Sequence, residues 1–177
     1  MWGVYPEVMT EAHDDPTLLF LHGAGGFRED APLARGIAEA YGARLVMPML
    51  SDEDMTFEAW AAPIRAALSG LGSADLVVGH SFGGSILVKV LAEREWKVRR
   101  AVLLAMPNWG EGGWGVDEYA FDGPEPGQFL VLHHCLDDEV VPFDHLALNR
   151  ADLPNAAFQV HEKGGHQFEG PATALLR

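Results

Sequence analysis

The sequence contains a single cysteine, Cys135, and few basic residues. One cysteine excludes a disulfide within the chain and is typical of proteins from a reducing compartment. The 12 Lys and Arg residues stand against 26 Asp and Glu residues, which gives a formal net charge of −14. Because nucleic acids and anionic membrane surfaces repel such a charge, we expect neither as a partner.

Long hydrophobic runs are also missing. No apolar stretch approaches the ~18 residues that a membrane-spanning helix requires. Residues 1–7 lack the basic start and the apolar core of a signal peptide, which favours a cytoplasmic location. There are no internal repeats and no linker-like tracts. With 177 residues, the chain is expected to form a single domain spanning residues 1–177.

Apolar runs typical of buried strands alternate with helix-like segments along the chain. Strands are predicted at 17–21, 44–47, 74–78, 100–105, 129–133 and 157–161, and helices at 30–41, 56–71, 85–94, 143–153 and 171–177. Residues 1–16 would add at most a short edge strand. This alternation predicts an α/β fold with a parallel sheet of about six strands and helices on both faces. The elements use nearly all of the chain and leave no room for a lid domain.

The sequence GHSFG at residues 79–83 lies between a predicted strand and a predicted helix. In that context G-x-S-x-G is typical of a nucleophile elbow, a tight turn that exposes the central serine. Glycines two residues before and after Ser81 remove side chains that would collide in such a turn. Ser81 is then the candidate nucleophile, and the Phe82 amide is a candidate donor to an oxyanion. The alternative is a Gly-rich turn in which Ser81 only caps a helix.

Polar residues follow the other predicted strands as well. The Gly-rich loop at 22–26 offers the Ala24 amide as a second oxyanion donor and does not match a phosphate-binding loop. His166 follows the last predicted strand and is the candidate general base. An acidic residue from 137–139 could orient it, and serine, acid and histidine then occur in the chain order of α/β-hydrolases.

Two points in the segment after the fifth predicted strand are open to alternatives. Three acidic residues, Asp137, Asp138 and Glu139, compete to orient the histidine, and the other two are expected to be a solvated acidic turn. A metal site from His133, His134 and Asp137 is also conceivable. Because adjacent residues of a strand point to opposite faces, the two histidines argue against that metal site.

Taken together, these motifs resemble the α/β-hydrolases, over nearly the whole chain. Among them the chain is similar to the small lidless serine hydrolases of the retinoblastoma-binding protein nine and YdeN type. The shared features are Met-Pro after the second strand, an acidic loop before a Trp-bearing helix, D-D-x-x-V-P at 137–142 and G-G-H-x-F at 164–168. The resemblance implies a triad of Ser81, Asp138 and His166, with no metal and no organic cofactor.

We expect a carboxylesterase that acts on small, neutral acyl esters. The irregular segment 107–127 is the candidate cover of the site and brings Trp109 and Trp114 as candidate substrate-binding residues. It carries five acidic residues and no Lys or Arg, which disfavours anionic acyl-CoA substrates. The alternatives are a thioesterase, a dienelactone-type hydrolase, which would usually carry cysteine in place of Ser81, and a protein-binding module anchored on the two tryptophans.

Overall fold

Six parallel strands form one sheet in the computed structural model, which describes residues 15–177. The strands are β1 (Thr17–Leu21), β2 (Arg44–Val46), β3 (Leu76–His80), β4 (Arg100–Leu104), β5 (Phe129–Cys135) and β6 (Ala157–His161). The helices are α1 (Ala31–Tyr41), α2 (Phe57–Ser69), α3 (Phe82–Ala92) and α4 (Asp144–Asp152), and a 3₁₀ helix follows at Ala172–Leu176. The edge strand considered within residues 1–16 falls almost wholly outside the described residues.

The strand order is β2-β1-β3-β4-β5-β6, and every pairing is parallel. The predicted α/β fold with a parallel sheet is thus confirmed. Helix α1 and the 3₁₀ helix cover one face, where Ile37 and Leu175 join its apolar cluster. Helices α2, α3 and α4 cover the other face with Trp60, Ile86 and Leu146. Since helices cover both faces, the strands are buried on both sides, and all five residues of β3 are buried.

The boundaries around Ser81 differ from the prediction, which placed the strand at 74–78 and the helix at 85–94. Strand β3 continues through Gly79 and His80, which pair with Leu103 and Leu104 of β4. Helix α3 begins at Phe82, so only Ser81 separates the two elements. Gly-rich sequence weakens the intrinsic preference for strand and helix, and here the tertiary packing overrides it.

The strand order places a crevice at the carboxyl ends of β1 and β3. The chain leaves β1 for β2 on one side and leaves β3 for β4 on the other, so the connecting segments diverge between these neighbours. Such a switch point is where open α/β sheets bind ligands. Residues 22–26 and Ser81 lie there. Within residues 15–177, no helix has the length and apolar character needed to cross a membrane.

Candidate active site

Ser81 occupies a backbone conformation that few residues other than glycine adopt. Its φ is 49° and its ψ is −124°, outside the regions that suit an L residue, and such strain is concentrated at functional sites. Ser81 stands at the N-cap position of α3, yet its side chain makes no capping hydrogen bond. The interpretation of Ser81 as a helix cap therefore has no support in the structure, and its Oγ is left for another role.

The two glycines of the motif lie where a side chain would collide with backbone. A Cβ added at Gly79 would lie 2.6 Å from the Cα of Gly84. A Cβ added at Gly83 would lie 2.4 Å from the carbonyl oxygen of His22 and 2.6 Å from that of Leu21. The turn is thus crowded as predicted. Gly83 specifically lets α3 approach the carboxyl end of β1, which brings the turn and the loop at 22–26 together.

His166 and Asp138 form a hydrogen-bonded pair. The Nδ1 atom of His166 lies 3.0 Å from Asp138 Oδ2 and 3.1 Å from Oδ1. The Asp138 side chain is fully buried, and its Oδ1 also accepts hydrogen bonds from the amides of Val140 and Val141. Burial by itself raises the pKa of Asp138, but the hydrogen bonds from His166 and the two amides outweigh it, so this pKa lies below its usual value. The carboxylate therefore stays ionised and accepts the Nδ1 hydrogen, which leaves Nε2 as the acceptor.

Ser81 and His166 line one cavity of about 330 Å³, together with Gly23, Ala24 and Phe82. The structure thus brings the three predicted triad residues and both predicted oxyanion donors to the same edge of the sheet. A Cβ added at Gly23 would lie 3.1 Å from the Cβ of Ser81, so the backbone of the loop at 22–26 lies directly beside the candidate nucleophile.

The amides of Ala24 and Phe82 donate no hydrogen bond to any acceptor among the described residues. Their neighbours do have partners, since the Gly25 amide donates to Asp52 and the Gly26 amide to the carbonyl oxygen of Gly23. Unpaired amides beside a strained serine are what an oxyanion hole requires.

His22 fixes the peptide that carries the Ala24 amide. Its Nε2 accepts a hydrogen bond from the Leu50 amide, and its Nδ1 donates one of 2.7 Å to the carbonyl oxygen of Gly23. The Gly23 carbonyl and the Ala24 N–H belong to one peptide plane and point in opposite directions. Holding the carbonyl therefore orients the N–H. Our sequence reasoning missed His22, although a histidine directly after a buried strand was a usable signal.

The acidic residues beside Asp138 lie exposed in a turn, as expected, but they also hold the loop of the histidine. Asp137 accepts hydrogen bonds from the amides of Gly164 and Gly165, and Glu139 accepts one from the His166 amide. All three carboxylates thus hold the loop of the histidine, Asp138 through the imidazole and the other two through the backbone. The sequence did not reveal these contacts because the partners lie 27 or 28 residues apart.

Residues 107–127 form one wall of the cavity, as predicted. Trp109, Trp114 and Tyr119 line it and pack edge to face, with ring centroids 4.8–5.0 Å apart. Phe82 extends the aromatic cluster, 4.8 Å from Tyr119. Trp114 is 41% exposed, whereas Trp109 is partly buried and donates its Nε1 hydrogen to Ser85 Oγ at 2.8 Å.

Hydrogen bonds tie this wall to three helices. The Asn108 amide donates to His145 on α4, and Lys89 on α3 donates to the carbonyl oxygen of Ala120. Glu118 accepts a hydrogen bond from the Phe57 amide at the start of α2. The wall is therefore a fixed part of the fold, which sets an upper limit on what the cavity can hold.

Other features of the surface offer less chemistry. A larger groove of about 670 Å³ lies beside the end of α3 and residues 125–129, and none of the triad residues line it. His133 and His134 bond in different directions, to His161 and to the carbonyl oxygen of Val141. Among residues 15–177, no group of three or more His, Cys, Asp or Glu side chains is arranged to hold a metal.

The fold and the strand–turn–helix arrangement at Ser81 define an α/β-hydrolase fold, as the sequence predicted. No protein-family model and no curated protein sequence matches the chain. Solved structures do match. The ydeN gene product of B. subtilis is 16% identical with a TM-score of 0.69, over 87% of this chain and 89% of that chain. Mouse alpha/beta hydrolase domain-containing protein 10 is 18% identical with a TM-score of 0.68, over 91% and 86%. Est1E of Butyrivibrio proteoclasticus is 15% identical with a TM-score of 0.67, over 94% and 86%.

Proposed function

We propose that the protein is a serine hydrolase, and within that class a carboxylesterase. One observation carries the proposal. A strained Ser81, whose side chain makes no capping hydrogen bond, lines the same cavity as His166, and a buried, ionised Asp138 holds the Nδ1 atom of that histidine. Serine is a weak nucleophile at neutral pH unless a base takes its proton, and an oriented histidine supplies that base.

In the proposed reaction Ser81 Oγ attacks the acyl carbon while His166 Nε2 takes the hydroxyl proton. The carbonyl oxygen becomes an oxyanion, which accepts hydrogen bonds from the Ala24 and Phe82 amides. His166 then gives its proton to the leaving alcohol, and the acyl group stays on Ser81. Water then attacks the acyl group while His166 takes its proton. The transfer of that proton to Ser81 Oγ breaks the acyl–enzyme bond and releases the acid. Asp138 keeps His166 in the required tautomer and stabilises the imidazolium.

The cavity favours small, neutral acyl groups. Its volume of about 330 Å³ is at the lower end of ligand pockets, and the aromatic residues of segment 107–127 wall one side of it, which favours short acyl chains. Glu29 and Asp30 line it, whereas no Lys or Arg does among the described residues. Coenzyme A phosphates would find no Lys or Arg there and would meet the acidic residues of segment 107–127.

Two of the alternatives, a thioesterase and a protein-binding module, can be compared with the site. A thioesterase would use the same triad, and the cavity offers nothing that distinguishes an acyl sulfur from an acyl oxygen. A protein-binding module would need both tryptophans as exposed anchors, but Trp109 is packed among Phe82, Trp114 and Tyr119. The structure therefore gives the binding alternative less support than catalysis.

The test is a steady-state panel of p-nitrophenyl acetate, butyrate and palmitate beside acetyl-CoA and palmitoyl-CoA. We expect kcat/KM to be highest for acetate or butyrate, and Ser81→Ala, with its fold checked by circular dichroism, to have no activity. A higher kcat/KM for palmitoyl-CoA than for both short esters would contradict the proposed specificity. Turnover that survives in Ser81→Ala would contradict the mechanism itself.

A further inference from the structure

A second Asp–His pair lies beneath the reacting residues. Asp30 and His80 are each 1% exposed, and His80 Nδ1 lies 2.8 Å from Asp30 Oδ2. Neither residue has a part in the reaction described above, although His80 directly precedes Ser81. Buried charged groups are costly unless they are paired and hydrogen-bonded, so a pair retained at this place calls for a role.

Both ring nitrogens of His80 face acceptors. Nε2 lies 2.9 Å from the backbone carbonyl oxygen of His166, which can only accept, so Nε2 carries a hydrogen. The contact between Nδ1 and Asp30 requires a second hydrogen. Asp30 accepts further hydrogen bonds from the Gly23 amide at 2.8 Å and from Gln167 Nε2 at 3.0 Å, and such donors favour the carboxylate. The second hydrogen therefore belongs to His80, which is an imidazolium.

The direction of the Asp30 pKa agrees with this arrangement. Burial raises that pKa, but the hydrogen bond and the charge of His80, together with the hydrogen bonds from Gly23 and Gln167, outweigh burial and bring it below its ordinary value. No other cation is a hydrogen-bond partner of Asp30 among the described residues.

The pair connects the three segments that carry the proposed chemistry. Asp30 holds the Gly23 amide, one peptide before the Ala24 amide, and His80 belongs to the strand that ends at Ser81. The carbonyl of His166 is the third connection. The loop around it contains four residues with positive φ, namely Gly164 at 140°, Gly165 at 59°, Phe168 at 52° and Gly170 at 151°. A loop with so little regular structure needs fixed points if its histidine is to keep one position.

We propose that His80 and Asp30 form a positioning ion pair, in which the His80 imidazolium holds the His166 backbone and thereby sets the place of the general base relative to Ser81. Asp138 orients the ring of His166, and His80 holds its main chain. The kinetic part of this proposal rests on the proposed hydrolase function, whereas the charge and the hydrogen bonds of His80 do not.

Two substitutions separate the two hydrogen bonds of His80. The amide nitrogen of Gln reaches the position of His Nε2, so His80→Gln can still donate to the His166 carbonyl. The amide nitrogen of Asn reaches the position of Nδ1, so His80→Asn can donate to Asp30 only. A displacement of about 1 Å at a catalytic group costs about 100-fold in rate. We expect kcat with p-nitrophenyl acetate to fall by about that factor in His80→Asn, with little change in KM. In His80→Gln the loss of kcat should be at least tenfold smaller.

Nuclear magnetic resonance provides the readout that does not depend on activity. In protein labelled with ¹⁵N, both ring nitrogens of His80 should carry hydrogens at pH 7.5, with the assignment made by their loss in His80→Gln. The backbone amide of Gln167 shares a peptide plane with the His166 carbonyl. Its resonance should therefore move further in His80→Asn than in His80→Gln.

Different outcomes contradict the positioning role and the proposed function. An unprotonated ring nitrogen on His80, or equal losses of kcat in the two variants with equal losses of stability in urea, would overturn the positioning role. If the wild-type protein turns over no ester, the proposed function fails instead. The ring nitrogens and the Gln167 amide then still decide whether His80 is a cation that holds the loop.

Discussion

Gly83→Ala and Gly36→Ala are the same chemical change in two helices, yet the structure predicts opposite effects on stability. In α1, a Cβ at Gly36 would meet only the Cβ of Ala172, at an ordinary 3.6 Å. Alanine is favoured over glycine within helices by about 0.5–1 kcal/mol, so Gly36→Ala should raise the free energy of unfolding by that amount.

At Gly83 the same methyl group meets backbone. Its Cβ would lie 2.4 Å from the His22 carbonyl oxygen, and the normal limit for such a contact is about 3.3 Å. Helix α3 and the end of β1 would have to separate by about 0.9 Å, the difference of those two values. Overpacking of this kind costs about 1–3 kcal/mol, and no rotamer change can relieve it. The same shift moves the Phe82 amide away from the Ala24 amide.

Urea unfolding followed by circular dichroism on the wild type and both variants measures the effect. The midpoint should rise for Gly36→Ala and fall for Gly83→Ala. In a thermal scan, each kcal/mol corresponds to about 2–4 °C in Tm for a chain of this size. A Gly83→Ala protein as stable as the wild type would refute the claim that close approach of α3 to β1 requires glycine there.

Three further predictions concern titratable groups. Asp138→Asn should lower kcat by about 10⁴-fold because the wrong imidazole tautomer results. Asp137→Asn should lower kcat far less, since its amide oxygen can still accept a hydrogen bond from the loop. The reverse ranking of the two rates would contradict our assignment. Burial raises the pKa of Cys135 to about 12, so iodoacetamide at pH 8 should modify it in urea but not in the native protein, as mass spectrometry would show. Burial lowers the pKa of His133 to about 3, so between pH 6.5 and 3 the unfolded chain binds the extra proton and stability falls as the pH falls. Urea unfolding across that range should give a slope flatter by up to about 1.4 kcal/mol per pH unit in His133→Gln, and an unchanged slope would speak against a neutral His133.

The fold and the strand–turn–helix arrangement at Ser81 could be predicted from the sequence because both depend on local patterns. Apolar runs of strand length alternate with helical periods, and Gly79 and Gly83 flank the serine at fixed spacing. The boundaries were less accurate. Strand β3 and helix α3 extend into Gly-rich sequence because their neighbours in the sheet and core stabilise them there.

Contacts between distant segments could not be predicted in the same way. Asp30 and His80 are 50 residues apart, and His80 and His166 are 86 apart, with no motif that links them. The roles of Asp137 and Glu139 depend on where the backbone amides of another loop point. Such partnerships follow from the folded geometry, and the residue types alone give no sign of them.

The most direct test of the account is covalent labelling with a fluorophosphonate, read as intact mass. The probe forms a bond with the activated serine of a hydrolase, so one probe per chain should attach rapidly to the wild type at pH 7.5. Peptide mapping should place it on Ser81, and Ser81→Ala should remain unlabelled. Equal labelling of the Ser81→Ala protein, or no labelling of the wild type, would contradict the claim that Ser81 is an activated nucleophile.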